Sequence, residues 1–168
     1  MALTQALFNE MVDAHGAALY RIAYRMVANQ HDAEDLVQEA FRSAWNSRSR
    51  YRPDLGERAW LVTILRRRVV DGWRKRRTRT ISIDETALEV GVAGDDPTAR
   101  EFDDQVQAAL AQLPDQLRET LLLVVVGELT HQEVADMLSI PLGTVLSRVS
   151  RARTRLRKLL VEEEVRNG

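Results

Sequence analysis

A chain of 168 residues, 45% of them hydrophobic, is long enough for one ordinary domain or two small ones and can bury a core. No run of about 18 apolar residues is present to span a bilayer, and the start MALTQALFNE lacks the basic and apolar regions of a secretory signal. Cysteine is absent and His15, His31 and His131 stand far apart, which excludes disulfides and thiolate metal sites, points to no metal or cofactor, and fits a cytoplasmic protein.

The formal net charge of -1 hides segregation. Residues 41–80 hold thirteen Lys and Arg against Asp54, Glu57 and Asp71, whereas residues 81–104 hold eight acids against Arg100 alone. Residues 145–160 then carry six cations and no acid. Local fields act over roughly 8 to 10 Å, so two basic blocks separated by an acidic one point to polyanion binding more strongly than any overall charge does.

Helical periodicity runs through most of the chain. Leu7, Met11, Leu19, Ile22, Ala23 and Met26 recur at three- and four-residue spacing, with a register break near Gly16 that predicts two helical pieces. A helix capped by Asp32 follows, with Leu36, Val37, Ala40, Phe41, Ala44 and Trp45 as its apolar stripe. NSRSRYRPDLGE reads as a loop. The next helix is predicted from about Arg58 through Trp73, burying Trp60, Leu61, Ile64, Leu65 and Val69, and it ends in the cationic run RKRR. Together these elements predict a small helical bundle.

Residues 78 to about 100, with two glycines, Pro97 and the acidic excess, read as a linker; ISI is a short strand signal without a partner nearby. A helix restarts with Phe102, Val106, Ala109, Leu110 and Leu113 and ends at Pro114, and PDQLRETLLLVVV begins another with proline at a favoured first position. Thr130 and Glu133 stand at capping-box spacing before Val134 and Leu138. After the turn SIPLG, Val145, Val149, Ala152, Leu156 and Leu159 line one face of a long helix whose other faces carry Arg148, Arg151, Arg153, Arg155, Arg157 and Lys158. A helix-turn-helix with a basic second helix places the first residues of that helix against base edges in a major groove. The fold class is therefore all-α: two small helical domains, residues 1–77 and 101–168, joined by a flexible acidic linker at 78–100.

In this order the segments resemble an extracytoplasmic-function, or group 4, sigma factor of bacterial RNA polymerase over roughly residues 7–160. DAEDLVQEAFRSAW is similar to the core-binding segment of that family, ILRRRVVDGWRKRR to its minus-10 segment, and LTHQEVADMLSIPLGTVLSRVSRARTRLR to its minus-35 reading segment. The chain departs from the family pattern at Arg66 and Arg67, where Arg-Asn is frequent, and at Leu146, where a cation is frequent. The resemblance implies binding to core polymerase through Asp35, Gln38, Glu39 and Arg42, to promoter DNA, and to an anti-sigma factor, without membrane insertion and without enzymatic activity.

Residue chemistry adds detail to that expectation. Acids early in the second helix suit its dipole by roughly 0.3 to 1 kcal/mol, which accounts for Glu34 and Asp35 better than for Gln38 and Glu39. Tyr51 is the loop aromatic placed to stack on an unpaired base; with Arg66, Arg67, Trp73, Arg74, Arg76 and Arg77 it forms the expected minus-10 set. Trp60 is expected in the core, and Trp73 is divided between packing and DNA. Thr144, Ser147, Arg148 and Arg151 form the minus-35 set. A linker of roughly 20 residues spans at most about 66 to 72 Å, close to two turns of duplex, and its acids Asp84, Glu85, Glu89, Asp95 and Asp96, with Glu101 just beyond its end, are expected to restrain the free protein electrostatically. Three rivals remain: a one-component helix-turn-helix regulator, a nucleic-acid enzyme using the acids as metal ligands, and a protein whose basic ends bind an acidic partner.

Overall fold

The computed structural model describes residues 3–79 and 97–168, which form two compact units. The first holds α1 (Gln5–Val27), α2 (Gln30–Asn46), two short 3-10 turns at Arg48–Arg50 and Pro53–Leu55, and α3 (Glu57–Arg79). The second holds α4 (Pro97–Gln112), α5 (Asp115–Val125), α6 (His131–Leu138) and α7 (Leu142–Asn167). The described residues contain helices and turns and no strand. The ISI segment and most of the acidic linker lie outside them. The helices encroach on the expected linker from both sides, α3 reaching Arg79 and α4 starting at Pro97.

In the first unit the core is built from Leu19, Ile22 and Ala23 of α1, Leu61, Val62, Leu65 and Val69 of α3, and Ala33, Ala40 and Ala44 of α2. The alanines keep the inner face of α2 thin, so α1 and α3 pack against it closely while the larger members of its stripe, Leu36, Val37, Phe41 and Trp45, sit half-buried at the margins. Phe8 closes one end, edge-on to Phe41 at 6.3 Å and tilted against Trp45 at 5.2 Å.

The first unit departs from the sequence pattern along α1 and at the start of α2. The first helix is unbroken through Gly16, because the apolar repeat resumes through Ala18 and Leu19 on the same face. Leu7 is exposed, and its neighbour Phe8 is the buried residue. The cap of α2 is Asn29, whose Oδ1 accepts from the Asp32 amide at 3.0 Å; Asp32 is in the first turn, where its charge suits the helix dipole. Ala28, in the left-handed conformation at φ 58°, closes α1, so α1 turns into α2 within two residues.

In the second unit Ala109, Leu110 and Leu113, Leu121, Leu122 and Leu123, Val134 and Ala135, and Val145, Val149 and Ala152 supply the core. Pro114 caps α5 from outside and is not its first residue, so its fixed φ sets the entry angle and costs no helical amide. The predicted capping box is present: Thr130 Oγ1 accepts from the Glu133 amide and Glu133 Oε1 accepts from the Thr130 amide, each at 3.0 Å. Ser139, left-handed at φ 55°, ends α6, and the Ile140 amide donates to the Ala135 carbonyl at 3.1 Å. Pro141 then precedes α7, completing a helix-turn-helix.

Candidate nucleic-acid interface

α3 presents two different flanks. Leu61, Val62, Leu65 and Val69 fix its inner side, and the 3.6-residue repeat then carries Trp60, Thr63, Arg67 and Arg74 along the side turned away from the core. Arg67 and Arg74 are exposed, and Trp60 is half-buried. Trp60 is therefore not the core residue the apolar spacing predicts. Its ring packs instead against Tyr51 of the preceding loop, with centroids 4.9 Å apart and planes inclined by 54°.

That loop has more order than its composition indicates. Its 3-10 turns are joined through Tyr51 and Arg52, and Gly56 at φ 80° makes the sharp entry into α3 that a side chain would strain. His15 Nε2 of α1 lies 3.0 Å from Glu57 Oε2 at the start of α3, tying the loop's far end to the bundle. Burial, and secondarily the Glu57 carboxylate, raises the Tyr51 phenol above its ordinary value. The ring is thus neutral under ordinary conditions, half-buried and packed against Trp60.

The other flank of α3 meets α2. Arg68 donates through Nη1 to Glu39 Oε1 at 2.9 Å and through Nη2 to Ser43 Oγ at 2.6 Å. Nearby, Asp32, Asp35, Leu36 and Glu39 of α2, Val27 of α1, and Val69, Gly72 and Trp73 of α3 line a cleft of about 210 Å3. It has an apolar floor and an acidic rim. Asp35, Gln38, Glu39 and Arg42 are all exposed along α2, so the structure brings this predicted set onto one surface.

Trp73 joins that surface and lies apart from the Trp60, Arg67 and Arg74 row. Arg66 is half-buried. Arg76 and Arg77 fall in the last turns of α3, with side chains outside the described residues.

In the second unit, Val145, Val149 and Ala152 hold α7 against α4, α5 and α6. Arg151 is exposed, whereas Thr144, Ser147 and Arg148 are half-buried. Arg148 leans toward the packed side; Arg151 stands clear of it. Two residues absent from the predicted set are more exposed than most of its members: Leu142 and Leu146 at the start of α7. Their exposure was legible from Val145, which fixes which side of the first turn is buried. Among the described residues no group of three or more His, Cys, Asp or Glu side chains could hold a metal ion, and no helix is long and apolar enough to cross a membrane.

An aromatic pair beside an arginine row on one unit, and a basic helix-turn-helix on the other, are features of the DNA-binding transcription proteins. Residues 11–79 match Sigma-70 region 2 and residues 103–156 match Sigma-70, region 4. The ECF RNA polymerase sigma factor SigE of Mycolicibacterium smegmatis is 36% identical over 160 residues, which cover 92% of this chain and 62% of that relative's length. SigW of Bacillus subtilis, another such sigma factor, is 30% identical over 168 residues, covering 93% of this chain and 90% of its own. The sigma factor RpoE of Bartonella quintana, solved with the anti-sigma factor NepR, superposes with a TM-score of 0.75 at 28% identity, covering 91% of this chain and 96% of that one. The chain belongs to the extracytoplasmic-function sigma factors of RNA polymerase.

Proposed function

We propose that this chain directs promoter-specific transcription initiation in the cytoplasm, as an initiation factor and not an enzyme, by joining core RNA polymerase and contacting two promoter elements. The observation that carries the reading is the presence on one chain, in this order, of a Sigma-70 region 2 unit with an aromatic and arginine flank and a region 4 unit with a basic helix-turn-helix. Residues 1–77 dock on core polymerase through Asp35, Gln38, Glu39 and Arg42 and engage the minus-10 element. Residues 101–168 read the minus-35 element through Thr144, Ser147, Arg148 and Arg151, and residues 78–100 connect the two.

Strand opening needs no catalytic group. Taking a base out of the stack costs a few kcal/mol, and stacking on an aromatic ring returns about 1 to 3 kcal/mol per base. Tyr51 supplies that ring, Trp60 backs it, and Arg66, Arg67, Arg74, Arg76 and Arg77 hold the phosphates, while Trp73, on the cleft with Asp35 and Glu39, meets DNA only where the strand passes from that row toward α2. The RpoE relative was solved with an anti-sigma factor, which supports a protein inhibitor as a further partner here. Transcription from a library of promoter fragments by core polymerase, with and without this chain, tests the proposal. Transcripts that begin at defined sites only when the chain is present are expected. A sequence-specific footprint on duplex DNA from the chain alone, with no change in start sites, would refute it in favour of a one-component regulator.

A further inference from the structure

The first turns of α7 carry two side chains that neither the core nor the polar reading set accounts for. Leu142 is 42% exposed and Leu146 is 50% exposed. They stand one helical turn apart on the flank that adjoins Gly143 and Ser150, across the solvent-facing side of the helix from the flank that carries the half-buried Arg148. A lone exposed leucine is ordinary on a protein surface. Two in register at the groove-entering end of a recognition helix are placed where base edges lie.

The charge around them indicates what covers them. From Ser139 to Val161 the chain has Arg148, Arg151, Arg153, Arg155, Arg157 and Lys158 and no acid. Along the same flank the helical repeat follows the two leucines with Arg153 and Arg157, both exposed, at positions suited to phosphates bordering a groove. An apolar start continued by cations fits duplex DNA better than an apolar protein partner, which would gain nothing from the arginines. In the major groove the apolar group a base pair presents is the C5-methyl of thymine.

We propose that Leu146, supported by Leu142, reads the C5-methyl group of a thymine in the minus-35 element. The inference rests on the reading of α7 as the groove-inserted helix and adds to it a base preference. The leucine side chain excludes water from the methyl group, and it offers no donor to guanine O6 and N7, the acceptors a cation at this position would favour. Position 146 thus works as a selector between a methyl-bearing and an acceptor-rich base edge.

The test begins by selecting the preferred minus-35 element from randomised duplexes with the full chain bound to core polymerase. Each thymine is then replaced singly by deoxyuridine, which removes the methyl and keeps every hydrogen-bonding group. Wild type is expected to lose about fourfold in affinity at one or two thymines, the worth of one buried methyl group. Leu146→Ala should bind thymine and uracil alike there, and Leu146→Lys should shift selection at that position toward guanine. An element whose thymines all tolerate uracil, or a methyl effect undiminished in Leu146→Ala, overturns the assignment while leaving the minus-35 reading intact. A pool that yields no preferred element removes that reading and this inference together.

Discussion

Replacing Glu39 with Gln removes one charge from the ion pair that links α2 to α3 and keeps the shape and helix propensity of the side chain. The pair is short, at 2.9 Å, but its side chains are 48% and 41% exposed, so solvent screening limits its worth to about 0 to 1 kcal/mol. Arg68→Met removes the same pair from the other side and also the 2.6 Å bond to Ser43, and should cost the fold about 1 kcal/mol. Urea unfolding of both variants measures these costs. Titration of labelled core polymerase measures docking. If the Glu39 carboxylate faces a cation on polymerase, Glu39→Gln should weaken docking by about 1 kcal/mol at low salt, an effect that shrinks as salt rises. Arg68→Met should leave docking near wild type despite being the less stable fold. Equal loss of docking in both variants would show that Glu39 only fastens α2 to α3, and the exposed acidic surface would lose its assigned partner.

Three further outcomes follow from particular contacts. Arg151→Ala, at an exposed position on the proposed recognition helix, should cost about 1 to 3 kcal/mol and relax preference at defined bases in a minus-35 selection, whereas uniform weakening across all sequences would reassign Arg151 to a phosphate. Tyr51→Ala should reduce permanganate reactivity of promoter thymines, and Trp60→Ala should do so nearly as strongly because it removes the support behind Tyr51; normal opening by the double variant would take the loop out of strand separation. Thr130→Ala, which breaks the capping box, should lower the stability of the second unit by about 1 kcal/mol in denaturant unfolding, and an unchanged midpoint would mean that water replaces the cap without loss.

Sequence periodicity revealed most of the helices because both units are built from long amphipathic segments, and the Thr130 and Glu133 cap was readable because its chemistry is local. The position of Trp60 is not readable from spacing alone, for a physical reason. A 3.6-residue stripe marks apolar side chains without telling whether a neighbouring loop or the core covers them, and here the cover is Tyr51 from a segment whose turns depend on Gly56. Asn29 is hard to single out as the α2 cap from sequence because Asp32 has the same chemistry three residues later. The cleft that unites Asp35 and Glu39 with Trp73 joins residues over thirty positions apart in the chain, and no local pattern encodes such a meeting. The exposure of Leu142 and Leu146, by contrast, follows directly from the register that Val145 and Val149 set.

That register separates two kinds of selective constraint along α7. The inner row of Val145, Val149 and Ala152 keeps the helix in place, while Leu146 and Arg151 contribute almost nothing to folding, since surface substitutions usually shift stability by less than about 0.5 kcal/mol. Such positions drift without approaching the stability threshold, so promoter preference has room to diverge between duplicated copies of such a gene in single steps. The flank of α3 is less free. There Tyr51 and Trp60 brace one another, so a change in what that surface reads also disturbs how it packs. Specificity in this architecture should therefore diversify first through the second unit, with the proposed strand-opening surface changing only in coordinated sets.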